Sequence, residues 1–205
     1  MLKINFPPGD LIRKEVESEQ ELNEILQLQR KNIAAALDPA EISEQGFVTV
    51  QHDIELLLSM HRKAPSLIAC HQQQVIGYAL VMTTANRNSI PVLAPMFEIL
   101  DHLKFHGKMI SAYNFFIMGQ VCIEKDYRGQ GLFRRLYEGL FQRHAEKYDL
   151  LITEVATRNR RSINAHAGIG FQSIHQYTDY GGEHWEILVW DWNNLRPQEH
   201  QTNSN

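Results

Sequence analysis

The stretch Ile123-Glu124-Lys125-Asp126-Tyr127-Arg128-Gly129-Gln130-Gly131-Leu132-Phe133 holds the residue types and spacing that point most directly to chemistry. An apolar run ends at Ile123, Arg-Gly-Gln-Gly makes a short loop, and a helical pattern begins at once. Glycines let the backbone approach a ligand closely. The first N–H groups of a helix have no partner within it, so with the helix dipole behind them they bind an anion. The expected guest is a phosphate. A Walker loop is excluded because no GxxxxGK followed by Ser or Thr is present, and a dinucleotide fingerprint would need glycine where Arg134 stands. Taken alone, the same four residues also read as a glycine-tightened turn.

The elements that must position this loop follow from periodicity. Tyr113 to Ile123 is an apolar run of the kind a strand buried on both faces shows. Gly129 to Tyr148 is amphipathic, with Leu132, Leu136 and Leu140 at i, i+4 spacing. Leu150 to Ala156 is a second apolar strand, so the three form a βαβ unit with parallel strands. Upstream, Leu11 to Val16 reads as a strand, and Ser18-Glu19-Gln20-Glu21 has the form of a capping box opening a helix that ends near Asp38-Pro39. A helix over His52 to Arg62 precedes a hairpin, Ser66 to His71 and Val75 to Met82. Residues 84–112, with Pro91, Pro95 and Gly107 around a helical Met96 to His102, read as an insertion. Downstream come a short helix, Arg160 to Gly168, and a hairpin of Phe171 to Tyr180 with His184 to Trp190. One domain over 11–191 is expected, with 192–205 as a disordered polar tail.

A second block supports the first. Glu154-Val155-Ala156-Thr157-Arg158-Asn159 is followed by Ser162, Ala165, His166 and Gly170-Phe171. Together the blocks resemble the GNAT superfamily of N-acetyltransferases, which transfer acetyl from acetyl-CoA to an amine. The resemblance is specific over Gln120 to Phe171 and runs in element order from about Ile12 to Trp190. Gly129 and Gly131 fill the glycine positions of the pyrophosphate motif, while Asp126 stands where Gln or Arg is usual. In the second block Asn159, Gly170 and Phe171 match, Ser162 replaces an alanine, and His166 takes the place of a tyrosine.

The resemblance implies an α/β acyl-CoA N-acyltransferase fold with a mixed central sheet of about seven strands and flanking helices. It places acetyl-CoA, as co-substrate, between the two parallel strands. Backbone groups of Val121, Cys122 and Ile123 would pair with the pantetheine arm, and one of their N–H groups would hold the oxyanion. Amides of Arg128, Gly129, Gln130, Gly131, Leu132 and Phe133 would hold the pyrophosphate. Asn159 would bond the arm, and Arg134 or Arg161 would meet the nucleotide phosphates. His166, at the tyrosine position, becomes the candidate general acid for the leaving thiolate; the other reading is a histidine packed beneath the ligand. Glu154 is the candidate base, because it interrupts an apolar strand where burial raises a carboxyl pKa; alternatively it ties the sheet together by accepting N–H bonds. Gln120 cannot be a base and would orient water or substrate. Cys122, with no histidine partner evident, reads as core rather than nucleophile. Phe47, Tyr113, Tyr177 and Tyr180 are candidates to line the acceptor side, or are core.

Composition sets the class of partner. The 205 residues are 43% hydrophobic and 21% charged, an ordinary globular usage. The net charge of -4 argues against a dedicated nucleic-acid binder. That average conceals a contrast, since Lys125 to Arg161 holds nine basic residues against five acidic, as suits an anionic ligand. Cys70 and Cys122 lack ligand or CxxC spacing and the ten histidines are scattered, so no metal is expected. Neither an export signal nor a membrane-spanning run is read, and the cytoplasm is the expected location. The expected acceptor is a small-molecule or peptide amine, with no nucleic acid and no membrane as partner and a homodimer left open. A non-catalytic acyl-CoA-binding module and a transferase of longer acyl chains are the rival readings.

Overall fold

The structure is a computed structural model that describes residues 11–38, 42 and 46–195. The chain opens with strand β1 (Leu11–Glu15) and helix α1 (Glu19–Asn32). The capping box is formed: Ser18 Oγ accepts from the Glu21 N–H at 3.3 Å and the Glu21 carboxylate accepts from the Ser18 N–H at 3.2 Å. α1 ends at Asn32, short of Asp38-Pro39, and a 3-10 turn at Ala34–Ala36 follows. Helix α2 (Ile54–Lys63), capped by Asp53, leads into strands β2 (Leu67–His71) and β3 (Gln74–Met82).

Between β3 and the next long strand, residues 84–112 carry three 3-10 turns, helix α3 (Ala94–Leu100) and a two-stranded ribbon of β4 (Lys104–Phe105) and β5 (Lys108–Met109). The ribbon has no strong period-2 signal and was not legible in the sequence. This excursion contributes Met96, Phe97, Leu100 and Ile110 to the core, so it is packed into the domain. Then come β6 (Phe115–Ile123), α4 (Leu132–His144), β7 (Leu150–Ala156), α5 (Arg160–Ala167), β8 (Gln172–Thr178) and β9 (His184–Asp191). The expected tail boundary moves: Trp192 is fully buried and its N–H donates to Asp149 O, and Asn193–Leu195 form a 3-10 turn. The rest of the expected tail, 196–205, lies outside the described residues.

One seven-stranded mixed sheet runs β1-β2-β3-β6-β7-β9-β8. All neighbours are antiparallel except β6 and β7. α1, α2 and α3 cover one face, where Leu22, Ile25 and Leu57 pack on Tyr78, Leu80 and Ile152. α4 and α5 cover the other, where Leu136, Tyr137 and Leu140 meet Phe116, Leu151 and Trp190. This is the mixed α/β fold expected from the motif blocks, with helices on both faces of the sheet.

Candidate active site

The two parallel strands pair only at the start, Phe115 to Ile117 against Leu150 to Ile152. Beyond that point they part. β6 stays with β3 up to Ile123, and a bulge opposite Leu80 and Val81 gives it one extra residue, Gly119, which bends the strand. β7 meanwhile stays paired with β9 over its whole length. The gap exposes backbone groups of β6, and the ladder decides which. The Glu124 N–H donates to Ile76 O, so by antiparallel alternation Cys122 also bonds β3, while Val121 and Ile123 turn their groups into the gap. Cys122 is thus removed from the expected set of strand contacts. Its thiol is buried, and burial pushes its pKa up to about 12, which rules out a nucleophile at neutral pH.

At the mouth of the gap the loop takes the shape its glycines permit. Gly129 and Gly131 have φ of 73° and 81°, a region costly for other residues. A Cβ at either position would meet nothing within 4 Å, so the space in front of the loop is open. The first intrahelical bond of α4 runs from the Arg135 N–H to Gly131 O, which leaves the N–H groups of Leu132, Phe133 and Arg134 without a helical acceptor. Arg128 departs from expectation. Its N–H donates to Lys125 O, and its guanidinium grips Ile123 O at 2.9 Å and the Asn32 side chain. It is a brace under the loop. Arg134 is spent on Gly168 O, whereas Arg161 lines the cavity.

That cavity, of about 280 Å³, runs from the loop along β6 to Asn159 and Ala165. A smaller one of about 70 Å³ continues it between β6 and β7, where Gln120, Thr153, Glu154 and Trp185 contribute to the wall. The segment Gly46 to Val50 straps across both. The Val48 N–H donates to Asn32 O, the Asn159 Nδ2 donates to Phe47 O, and the Arg158 guanidinium lies 4.3 Å from the Phe47 ring centre. Gln120 fastens the strap from beneath. Its Nε2 donates to Val50 O, while its Oε1 accepts from Gln29 Nε2 at 2.6 Å and from the Tyr78 hydroxyl at 2.5 Å. No hydrogen-bonding capacity of that oxygen remains for water or substrate, so through Oε1 Gln120 acts as a tie. Asn32, which joins the loop brace to the strap, carries no motif signal and was missed in the sequence.

Glu154 faces the smaller chamber from β7. The Tyr177 hydroxyl donates to its Oε2 at 2.5 Å, and its Oε1 is buried without a partner among the described residues. Burial raises its pKa to about 7, against the lowering effect of the Tyr177 bond. A carboxyl poised there accepts a proton at neutral pH. Tyr177 packs against the core while its hydroxyl holds this carboxylate. Tyr113 stands at the far end of β6, its hydroxyl on Phe105 O. Tyr180 is 89% exposed, on the β8–β9 turn.

His166 is 1% exposed. Its Nδ1 lies 2.8 Å from Ser162 O and its Nε2 2.6 Å from the Tyr137 hydroxyl. A carbonyl only accepts, so Nδ1 carries the proton and Nε2 accepts from Tyr137. Burial holds the ring neutral, with its pKa lowered to about 4. As an imidazolium acid it does not fit this environment, because both nitrogens are engaged and the charged form is desolvated.

A mixed sheet that parts beside its one parallel pair, with a glycine loop and a helix N-terminus at the mouth, defines a class of α/β protein that seats a phosphate-bearing ligand between two strands. Residues 25–171 match the model of the acetyltransferase (GNAT) family, and the chain belongs to that family. No curated protein matches the chain. Solved structures share the fold at low identity. The ribosomal-protein-S18-alanine N-acetyltransferase of Escherichia coli aligns with a TM-score of 0.58 and 13% identity, covering 88% of this chain and 93% of its own. Arabidopsis thaliana NAA60, solved with acetyl-CoA, gives 0.62 and 12% over 88% and 99%. The putative acetyltransferase yncA of Salmonella typhimurium, solved with its cofactor acetyl-CoA, gives 0.59 and 15% over 96% and 99%.

Proposed function

We propose that the protein transfers acetyl from acetyl-CoA to a primary amine, of a small molecule or a peptide, by direct attack with both substrates bound. The observation that carries the reading is the juxtaposition of two chambers across one splayed strand pair, with anion-binding N–H groups at one end and the Glu154 carboxyl at the other. The residues fit the ligand. Open space faces both left-handed glycines, the α4 N-terminus offers N–H groups to a pyrophosphate, and Arg161 adds positive charge to the wall. Acetyl-CoA supplies the activated acyl group. Val121 and the Ile123 N–H offer a strand edge to its arm, and the Val121 N–H is the donor we assign to the developing oxyanion. Glu154 Oε1 takes the proton of the attacking amine, with Tyr177 holding the other oxygen. A peptide acceptor is in keeping with relatives whose names specify ribosomal protein S18 alanine or a bound Gag peptide. The cytoplasm is the proposed place of action, supported by two free, buried cysteines.

The test is release of free thiol from acetyl-CoA with a panel of amines. Glu154→Gln is expected to lower turnover about 100-fold or more and to leave acetyl-CoA affinity in place. Glu154 works deprotonated, so kcat/KM should rise through a pH of about 7, and that limb should vanish in the variant. Wild-type turnover by Glu154→Gln, or CoA binding without thiol release across the panel, would overturn the reading.

A further inference from the structure

We infer that Ser162 is a catalytic residue, whose hydroxyl donates a hydrogen bond to the leaving sulfur. The inference rests on the acetyl-transfer reading and adds a residue to it. A thioester with its phosphates on the glycine loop and its acetyl group before Glu154 must cross the wall common to the two chambers. That wall is made by Phe47, Val48, Val121, Asn159 and Ser162. Three of these side chains are apolar. Asn159 is polar, but each of its polar atoms is already held by the protein, Oδ1 accepting from the Ser162 N–H at 3.2 Å and Nδ2 donating to Phe47 O at 3.1 Å. The Ser162 hydroxyl is the remaining polar side chain on the crossing.

The hydrogen bonds behind Ser162 settle the direction of its proton. Tyr137 donates to His166 Nε2, so the His166 Nδ1–H points at Ser162, 2.8 Å from its carbonyl oxygen and 3.3 Å from Oγ. Towards that N–H both oxygens of Ser162 can only accept. The Oγ–H is left over, and among the described residues it has no acceptor. A neutral, buried imidazole thus turns the serine hydroxyl outward, which is a positioning role for His166.

In the step, the amine N–C bond forms and the C–S bond breaks, with its electron pair passing to sulfur. The amine proton goes to Glu154. The sulfur departs as a thiolate held by the Ser162 O–H, and takes a proton from water on release. Hydrogen bonds to charged groups are among the stronger ones, so the same contact favours the ionised thiol of bound CoA.

That thiol gives a readout independent of turnover. CoA bound to wild type, Ser162→Ala and Ser162→Thr would be titrated by ultraviolet absorbance of the thiolate. In Ser162→Ala the bound thiol should ionise about one pH unit higher than in wild type, and turnover should fall about tenfold or more. CoA affinity below the thiol's ionisation range should stay within about twofold, and Ser162→Thr, which keeps the hydroxyl, should behave like wild type. Identical thiol titrations in wild type and Ser162→Ala would overturn the inference, even with Glu154→Gln inactive. A Ser162-dependent titration with no transfer to any amine would retain the sulfur contact and sink the transfer reading instead. Failure of wild type to bind CoA would overturn both.

Discussion

At the scale of single residues, His166 and Glu154 show how burial assigns opposite states to two groups near one cleft. Desolvation keeps His166 neutral and, with a smaller push from the Asp179 charge, keeps a proton on Glu154 up to a pH of about 7. The Tyr137–His166 bond is buried on both sides, with Tyr137 fully enclosed. Removing one partner orphans the other at a cost of about 1–3 kcal/mol, whereas removing both orphans nothing. Tyr137→Phe and His166→Phe should therefore each destabilise by that amount, and the double variant by about 1 kcal/mol less than their sum. Urea unfolding of the four proteins measures this, and additive values would mean that the bond contributes nothing. Glu154 was legible in the sequence as a carboxylate interrupting apolar β7. The state of His166 was not, because helical spacing does not say which of the neighbouring aromatic rings its face will meet.

At the scale of elements, the decisive piece is the strap of Gly46 to Val50. It has no regular structure beyond an isolated bridge from Val48 to Ile33, and its placement depends on side chains from elsewhere. Gln120 and Gln29 are far apart in the chain yet share one buried hydrogen bond, and His52 joins the same network through Gln29. In Gln120→Leu, the Gln29 amide and the Tyr78 hydroxyl lose an acceptor and Val50 O loses its donor. Global stability should drop by about 2–4 kcal/mol, since several buried groups are unmet at once. Amide exchange should quicken most at Val48 and His52, whose N–H groups bond Asn32 and Gln29. Uniformly faster exchange, with no excess on the strap, would count against the tie. Gln120 stands out in the sequence as a polar residue in an apolar strand, but only its three partners, Val50, Gln29 and Tyr78, show it to be structural.

For the whole molecule, titration of buried histidines governs behaviour in acid. His52, His144 and His166 are each held neutral by burial, with pKa lowered to about 4. In the unfolded chain a histidine titrates near ~6.5. Between these values the unfolded state binds more protons, so this contribution to stability is full above about pH 6.5 and is lost as pH falls towards 4. Glu154 acts in the other direction between about 4.5 and 7, because its folded form keeps its proton longer. Three groups against one leave a net uptake of about two protons on unfolding near pH 5.5. The urea midpoint should therefore fall as pH drops from about 6.5 to 4.5. Replacing His144 with glutamine should make that slope shallower by about one proton. A midpoint flat across this range would refute the account.

The sequence by itself determined the β6–α4–β7 unit, its glycine loop and the family to which they belong, because these depend on contacts between near neighbours. Periodicity decides which face of an element is apolar, and glycine decides where φ turns positive, without reference to the rest of the chain. Only the tertiary structure decided that β9 enters the sheet between β7 and β8 and holds β7 away from β6. That placement opens the gap. The packed structure also brings Tyr177 to Glu154, turns Arg128 beneath the loop towards Asn32, and sets Tyr137 against His166. These outcomes rest on partners distant in sequence, where the requirement that every buried donor and acceptor be met acts on the packed whole rather than on any local pattern.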